Sequence, residues 1–135
     1  MSYEIPGLNI SLVSSGDMSS HQYKAVRAST TNAVDGCVLL SARGTRATGV
    51  YQHNSTTSEA GKVMVLGVTK MQAGDSSGME SAIAVGAPVM ASSVGAAVPS
   101  TDTSDARIGF ALEPLGTGST GIIAVLLCLS ATSTA

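Results

Sequence analysis

Imidazole and thiol groups are scarce in this chain, and their spacing limits the chemistry it could perform. His21 and His53 are the only imidazole bases. Asp17, His21 and the neighbouring serines supply the residue types of a hydrolytic triad, which needs nucleophile, base and orienting carboxylate within hydrogen-bond reach. No Gly-x-Ser-x-Gly elbow sharpens that pattern, and in so serine-rich a chain the coincidence is expected, so a solvated loop histidine is the plainer account. A zinc site would need close-spaced Cys or His pairs, and neither Cys-x-x-Cys nor His-x-x-x-His occurs. Asp102 and Asp105 could hold a hard cation only weakly. Gly116-Thr117-Gly118-Ser119-Thr120-Gly121 has the glycines of a phosphate-cradling loop but lacks the Lys-Ser/Thr pair and the following helix, and reads as a hairpin or strand-entry turn. Cys37 and Cys128 lie in the apolar runs Cys37-Val38-Leu39-Leu40 and Leu126-Leu127-Cys128-Leu129. They read as two buried reduced thiols packing as small hydrophobes, with one disulfide as the alternative. No catalytic residue, cofactor or metal is expected.

The elements that would position these groups must be built from small side chains. The chain has 135 residues, room for one domain burying roughly two-thirds of its unfolded surface. Aromatics make up only 3% of it, while 44% is apolar. Charged residues reach 12%, against about 25% in ordinary soluble domains. The usual shell of Lys and Glu is thus thin, which predicts surface covered by protein. A mean hydropathy of +0.31 opposes disorder. The net charge of −2 and pI near 5.5 leave no footprint for nucleic acid and no polybasic patch for lipid. The start lacks the layout of a signal peptide, and the longest apolar run, Gly121 to Leu129, is too short for a spanning helix.

Short β-branched runs punctuated by Gly, Ser, Thr and Asn predict an all-β fold. Strands are expected at Asn9–Val13, Gln22–Ala28, Gly36–Leu40, Gly49–His53, Lys62–Met71, Pro88–Ser92, Ala106–Glu113 and Thr120–Leu129. The last of these is continuously apolar from Ile122 to Leu127, as in a central strand or one buried at an interface. Ala73–Ser81 and Ser93–Asp105, rich in Gly, Ser and Asp, read as loops.

Two resemblances bear on function. Val68-Thr69-Lys70-Met71 and Ile83-Ala84-Val85-Gly86-Ala87-Pro88-Val89 distantly resemble the modified-lysine turn and glycine-bearing strand of biotinyl and lipoyl carriers. A carrier lysine sits on an exposed tight turn, whereas Lys70 ends an apolar run; a small β-barrel carrier or ligand-binding module is the alternative reading. More of the chain is covered by Tyr23-Lys24-Ala25-Val26, Ala60-Gly61-Lys62-Val63-Met64-Val65, Ala84 to Val89, Ile108-Gly109-Phe110-Ala111-Leu112-Glu113 and Gly121 to Leu127. In this order they resemble the capsid decoration, or cement, proteins of tailed bacteriophages. That resemblance implies a small β-barrel or β-sandwich, usually a homotrimer, on the outer capsid surface of the virion. It implies a non-enzymatic protein, made in the host cytoplasm, that bridges and stabilises major capsid protein subunits.

The expected organisation is an extended N-terminal arm over 1–20, a barrel or sandwich over 21–130 and a flexible tail over 131–135. In the arm, Tyr3, Ile5, Leu8, Ile10 and Leu12 are too interrupted by Pro6, Gly7 and Asn9 for an amphipathic helix, yet too apolar for a free tail. They are the predicted capsid and subunit contacts, made by strand addition to a neighbour's edge. The competing possibility is that Leu8–Val13 is the first strand of the protein's own barrel.

Overall fold

The computed structural model describes residues 3–29, 35–74 and 81–129. The expected tail over 131–135 and most of the expected loop over 73–81 lie outside them. Among the described residues the structure is all strand: β1 Ile5–Pro6, β2 Asn9–Ser14, β3 Ala25–Ser29, β4 Gly36–Leu39, β5 Gly49–Tyr51, β6 Ala60–Met64, β7 Gly67–Ala73, β8 Pro88–Ala91, β9 Ala97–Pro99, β10 Arg107–Ala111 and β11 Gly121–Leu127. The expected all-β class is what forms.

β2, β4, β3, β5 and β6 close into a barrel. Its interior is filled by Met18, Val26, Cys37, Tyr51 and Val63, with Ile10, Leu12, Leu39 and Val65 packed against them. The buried Tyr51 hydroxyl is satisfied by Ser55. The remaining strands form a six-stranded sheet, β1-β7-β11-β10-β8-β9, that curls until β9 meets β7 at the pair Ala73↔Ala97. β11 is central in it, as its apolar run predicts, and pairs with β7 from Gly121↔Ala73 to Leu127↔Gly67.

Barrel and sheet share one core. Ala25, Leu40, Val50 and Met64 from the barrel side pack with Met71, Val89, Ile108, Ile123, Val125 and Leu127 of the sheet. Alongside runs a seam of side-chain amides. The Gln72 backbone N–H donates to the Tyr23 carbonyl at 2.8 Å, and Gln72 Nε2 to the Gln22 carbonyl at 2.9 Å. Gln22 Nε2 donates to the Gln52 carbonyl, and Gln52 Nε2 to the Val50 carbonyl and Thr69 Oγ1, each at 2.9 Å. Thr69 is fully buried, and its hydroxyl accepts from Gln52 Nε2 and donates to the Lys70 carbonyl at 3.1 Å.

Backbone conformation explains where the strands depart from expectation. The single strand predicted over 62–71 is two, because the chain turns at Gly67, whose φ of 117° suits glycine alone. There it passes Gly7 so closely that a Cβ on either glycine would strike the other segment's backbone. The strand predicted from Gln22 starts at Ala25, because Tyr23 has a φ of 64°. That conformation costs a non-glycine residue about 1–2 kcal/mol and cannot continue a strand. β9 lies inside the predicted loop 93–105; its run Ala97-Val98-Pro99 is too short to register as a period. In β10 a register shift between Arg107 and Gly109 turns both Ile108 and Ala111 into the core and Phe110 outward.

Gln52→Ala removes the donor to the Val50 carbonyl and to Thr69 Oγ1, leaving the buried Thr69 hydroxyl with its bond to the Lys70 carbonyl alone. Denaturant melts should show a loss of about 1–3 kcal/mol, whereas replacing exposed Asn54 by Ala should change stability by less than about 0.5 kcal/mol.

Candidate functional site

Alternation along β11 sends Ile123, Val125 and Leu127 into the core and Ile122, Ala124 and Leu126 to the other face. The register carries this outward face across the sheet, with Ile5 opposite Val68, Val68 opposite Leu126, Leu126 opposite Phe110 and Phe110 opposite Pro88. Five apolar residues thus stand side by side on five adjacent strands, a row roughly 19 Å long at the usual interstrand spacing. Ile5 is 57% exposed, Leu126 42% and Phe110 38%, while Val68, between Ile5 and Leu126, is buried and Pro88 half-buried. Ile122, nearly half exposed, extends the same face along β11. Scattered surface hydrophobes need no explanation, but a contiguous apolar row marks an interaction surface.

The five predicted contact residues divide. Tyr3, Ile5 and Leu8 are exposed, and Ile5 opens the row. Leu8 joins exposed Leu66 through the bond from its N–H to the Leu66 carbonyl at 3.1 Å. Ile10 and Leu12 instead pack half-buried against the barrel core, because Asn9–Ser14 is a barrel strand paired with β6 and β4. The expected arm over 1–20 therefore ends as arm before Asn9. Ile5–Pro6 pairs with β7 on one side and stands at the edge of the sheet, whereas Asn9–Ser14 is paired on both sides within the barrel. Phe110, Leu126 and Ile122 escaped the sequence reading because only cross-strand register aligns them with Ile5.

A family model described as phage cement protein matches residues 13–128. The chain belongs to the phage cement protein family. Membership makes it a structural protein associated with the phage virion, in agreement with the resemblance carried by its own motifs. The matched span starts at Val13, so Tyr3, Ile5, Leu8, Ile10 and Leu12 all precede it. Among solved structures the fold is similar to the head fiber gp8.5 N base in bacteriophage phi29, with a TM-score of 0.66 and 19% identity over 90% of this chain and 93% of that one. No curated protein matches the sequence.

The reactive groups of this cement protein are turned to structural use. Asp17 Oδ1 accepts the Ser19 N–H at 3.0 Å, and His21 Nδ1 faces Lys24 Nζ at 3.4 Å rather than the carboxylate a triad requires. Asp102 Oδ1 accepts the Ser104 N–H at 2.9 Å and Asp105 Oδ2 the Asp102 N–H at 3.2 Å, closing a turn on themselves. No group of three His, Cys, Asp or Glu side chains forms a metal cluster among the described residues. Lys70 lies inside β7 opposite Ala124, its ammonium 5.9 Å from the Tyr23 ring centre. A carrier lysine needs an exposed turn, so the placement departs from the carrier pattern.

Both cysteines are free thiols, and only Cys37 is buried. Cys128 is exposed because it follows the end of β11 on the outward side of the alternation. Burial pushes the Cys37 thiol up from its usual range. A thiol reagent should therefore modify one cysteine rapidly in the native protein and the second only on unfolding, with Cys128→Ser abolishing the fast phase.

Burial, then the Lys24 charge, holds His21 below its ordinary 6.5, and Asp17 only partly opposes them. The unfolded chain then binds the proton more tightly than the folded one, so stability falls as pH drops below about 6.5. Melting curves from about pH 7 to about pH 5 should decline less steeply for His21→Gln than for the parent.

Proposed function

We propose that this cement protein fastens to the outer surface of a phage head and bridges neighbouring major capsid protein subunits, stabilising the shell without catalysis. The observation that carries the reading is the cross-strand apolar row in which Ile5, Leu126 and Phe110 are exposed, with Val68 buried between Ile5 and Leu126 and Pro88 half-buried at the far end; Tyr3, Leu8 and Leu66 add exposed apolar surface near the N-terminal segment. A rigid sheet presents this face, so little conformational entropy is lost when it docks. The thin charge of the whole chain suits a surface meant to be covered. A homotrimer would carry three such faces to the lattice, and engaging them together raises avidity without any new contact. The head fiber base of phi29, which shares the fold, is by its description part of a head appendage, consistent with this placement.

Burying a half-exposed Phe or Leu contributes on the order of 1 kcal/mol each. Phe110→Ser with Leu126→Ser should weaken capsid binding by at least about tenfold, read by co-sedimentation with decoration-free heads. Melting temperature should change little, because both side chains point away from the core. Deleting residues 2–7 should also reduce retention, since it removes Tyr3, Ile5 and a two-residue edge strand but leaves the barrel whole. Retention unchanged in both variants would refute this face. Light scattering should give the mass of three chains if the trimer forms before docking, and of one chain if it does not.

A further inference from the structure

We infer that the polar groove beside the barrel is a saccharide-binding site. Two observations converge on it. The first is a groove of about 240 Å3 between the N-terminal segment and the barrel wall, lined by Glu4, Asn9, Tyr23, Gln52, His53 and Lys62. A second hollow of about 280 Å3 shares Asn9, His53 and Lys62, so the two form one trough along β2 and β6. The second observation is Asn9 Oδ1, a buried acceptor with no hydrogen-bond partner among the described residues. Buried side-chain oxygens are nearly always satisfied in native proteins, and an exception inside a groove points to a donor from outside the chain. Tyr23 also lines the groove.

The lining selects the class of ligand. Asn9 Oδ1 only accepts and Lys62 only donates, so the ligand must offer both functions within a few ångströms. A hydroxyl does both, and the face of a sugar ring can lie on Tyr23. Phosphate-rich ligands fit poorly, because Glu4 offsets Lys62 and an anion brings no donor for Asn9. An extended peptide finds no backbone to pair with, since β6 is taken by β2 on one side and β5 on the other, and the Gln52 N–H already donates to the Lys62 carbonyl. Glu4, Asn9, Gln52, His53 and Lys62 give the first hollow a polar lining around Met64, a poor match for lipid.

The test is a 1H–15N NMR titration of the full chain with glucose, galactose, mannose and N-acetylglucosamine at millimolar concentrations, with inorganic phosphate and a short unstructured peptide as competing probes. Saturable shifts from at least one sugar, confined to Asn9, Tyr23, Gln52, His53 and Lys62 and including the Asn9 side-chain amide, are expected. Lys62→Gln, on an exposed position of β6, and Asn9→Ser should each weaken binding by about tenfold with the remaining spectrum superimposable on the parent. Absence of saturable shifts for all four sugars, stronger shifts from phosphate or peptide, or affinity unchanged in both variants would overturn the assignment. Phe110→Ser and Leu126→Ser leave these residues in place, so the outcome of this titration is distinguishable from that of the docking face.

Discussion

The edge of β7 that faces the barrel is the constraint on which the other surfaces depend. β11 occupies one side of this strand along its whole length, while on the other side β1 and β9 pair with it only at its two ends. A bare central stretch would leave backbone and hydroxyl groups buried without partners, each at a penalty of about 1–3 kcal/mol. Gln22, Gln52 and Gln72 supply what a twelfth strand would have supplied, and Tyr23 bends into the left-handed region to bring its carbonyl to the Gln72 N–H. Glutamine suits the task because its amide both donates and accepts on a side chain long enough to span two walls. Once the seam is closed, barrel and sheet are fixed relative to one another. The apolar row and the polar groove then stand on one rigid body, and both begin at the N-terminal segment: Ile5 faces the row, while Glu4 and Asn9 line the groove.

The small side chains follow from the same arrangement. Two curled sheets sharing a core must approach closely, and Ala25, Ala47, Ala73, Ala91, Ala97 and Ala111 are all buried in that shared cluster. Gly109 shows the limit of the approach, since a Cβ there would strike the Leu126 carbonyl of the neighbouring strand. Tyr51, the one large ring in the barrel, fits only because Gly61 offers no side chain against its hydroxyl. A core of this kind gains little per residue from hydrophobic burial, at about 25 cal/mol per Å2 of apolar surface removed from water. Close packing of many small contacts supplies the rest.

The residues that can be read from the sequence are those whose neighbours along the chain decide their structure. The apolar run from Ile122 to Leu127 announces a central strand, and Gly36–Leu40, Pro88–Ser92 and Ala106–Glu113 each contain the strand expected of them, with ends shifted by one or two residues. What stays hidden is set by partners far along the chain. Nothing local to Val65-Leu66-Gly67 says that Gly7 will cross there, so one strand is expected where two form. Tyr23 sits in a strand-like run, yet the demand of Gln72, far along the chain, holds it out of the strand. Cys128 continues an apolar run and still faces solvent, because the strand that gives the run its meaning ends one residue earlier. The candidate contacts behave alike. Tyr3, Ile5 and Leu8 look the same in sequence as Ile10 and Leu12, and only barrel closure separates the exposed three from the packed two.

That separation changes the physics of attachment. An unpaired arm would bind by lending its backbone to a neighbour's sheet edge, and would lose conformational freedom as it did so. Here the arm's backbone is already paired, and the barrel side has no edge because it is closed. What the molecule offers outward is a sheet face of side chains. Side-chain faces discriminate by shape, and a row one residue wide across five strands fits a shallow apolar groove better than it fits a flat surface. The strand that ends the sheet, β1, is only two residues long, and so short an edge offers little backbone for pairing with a copy of itself. An apolar row flanked by Lys70 and Gln72 on β7 is less sticky than an edge and is exposed only along a narrow line. If this face is the attachment surface proposed above, the arrangement keeps it permanently formed while limiting how much of it the free protein exposes.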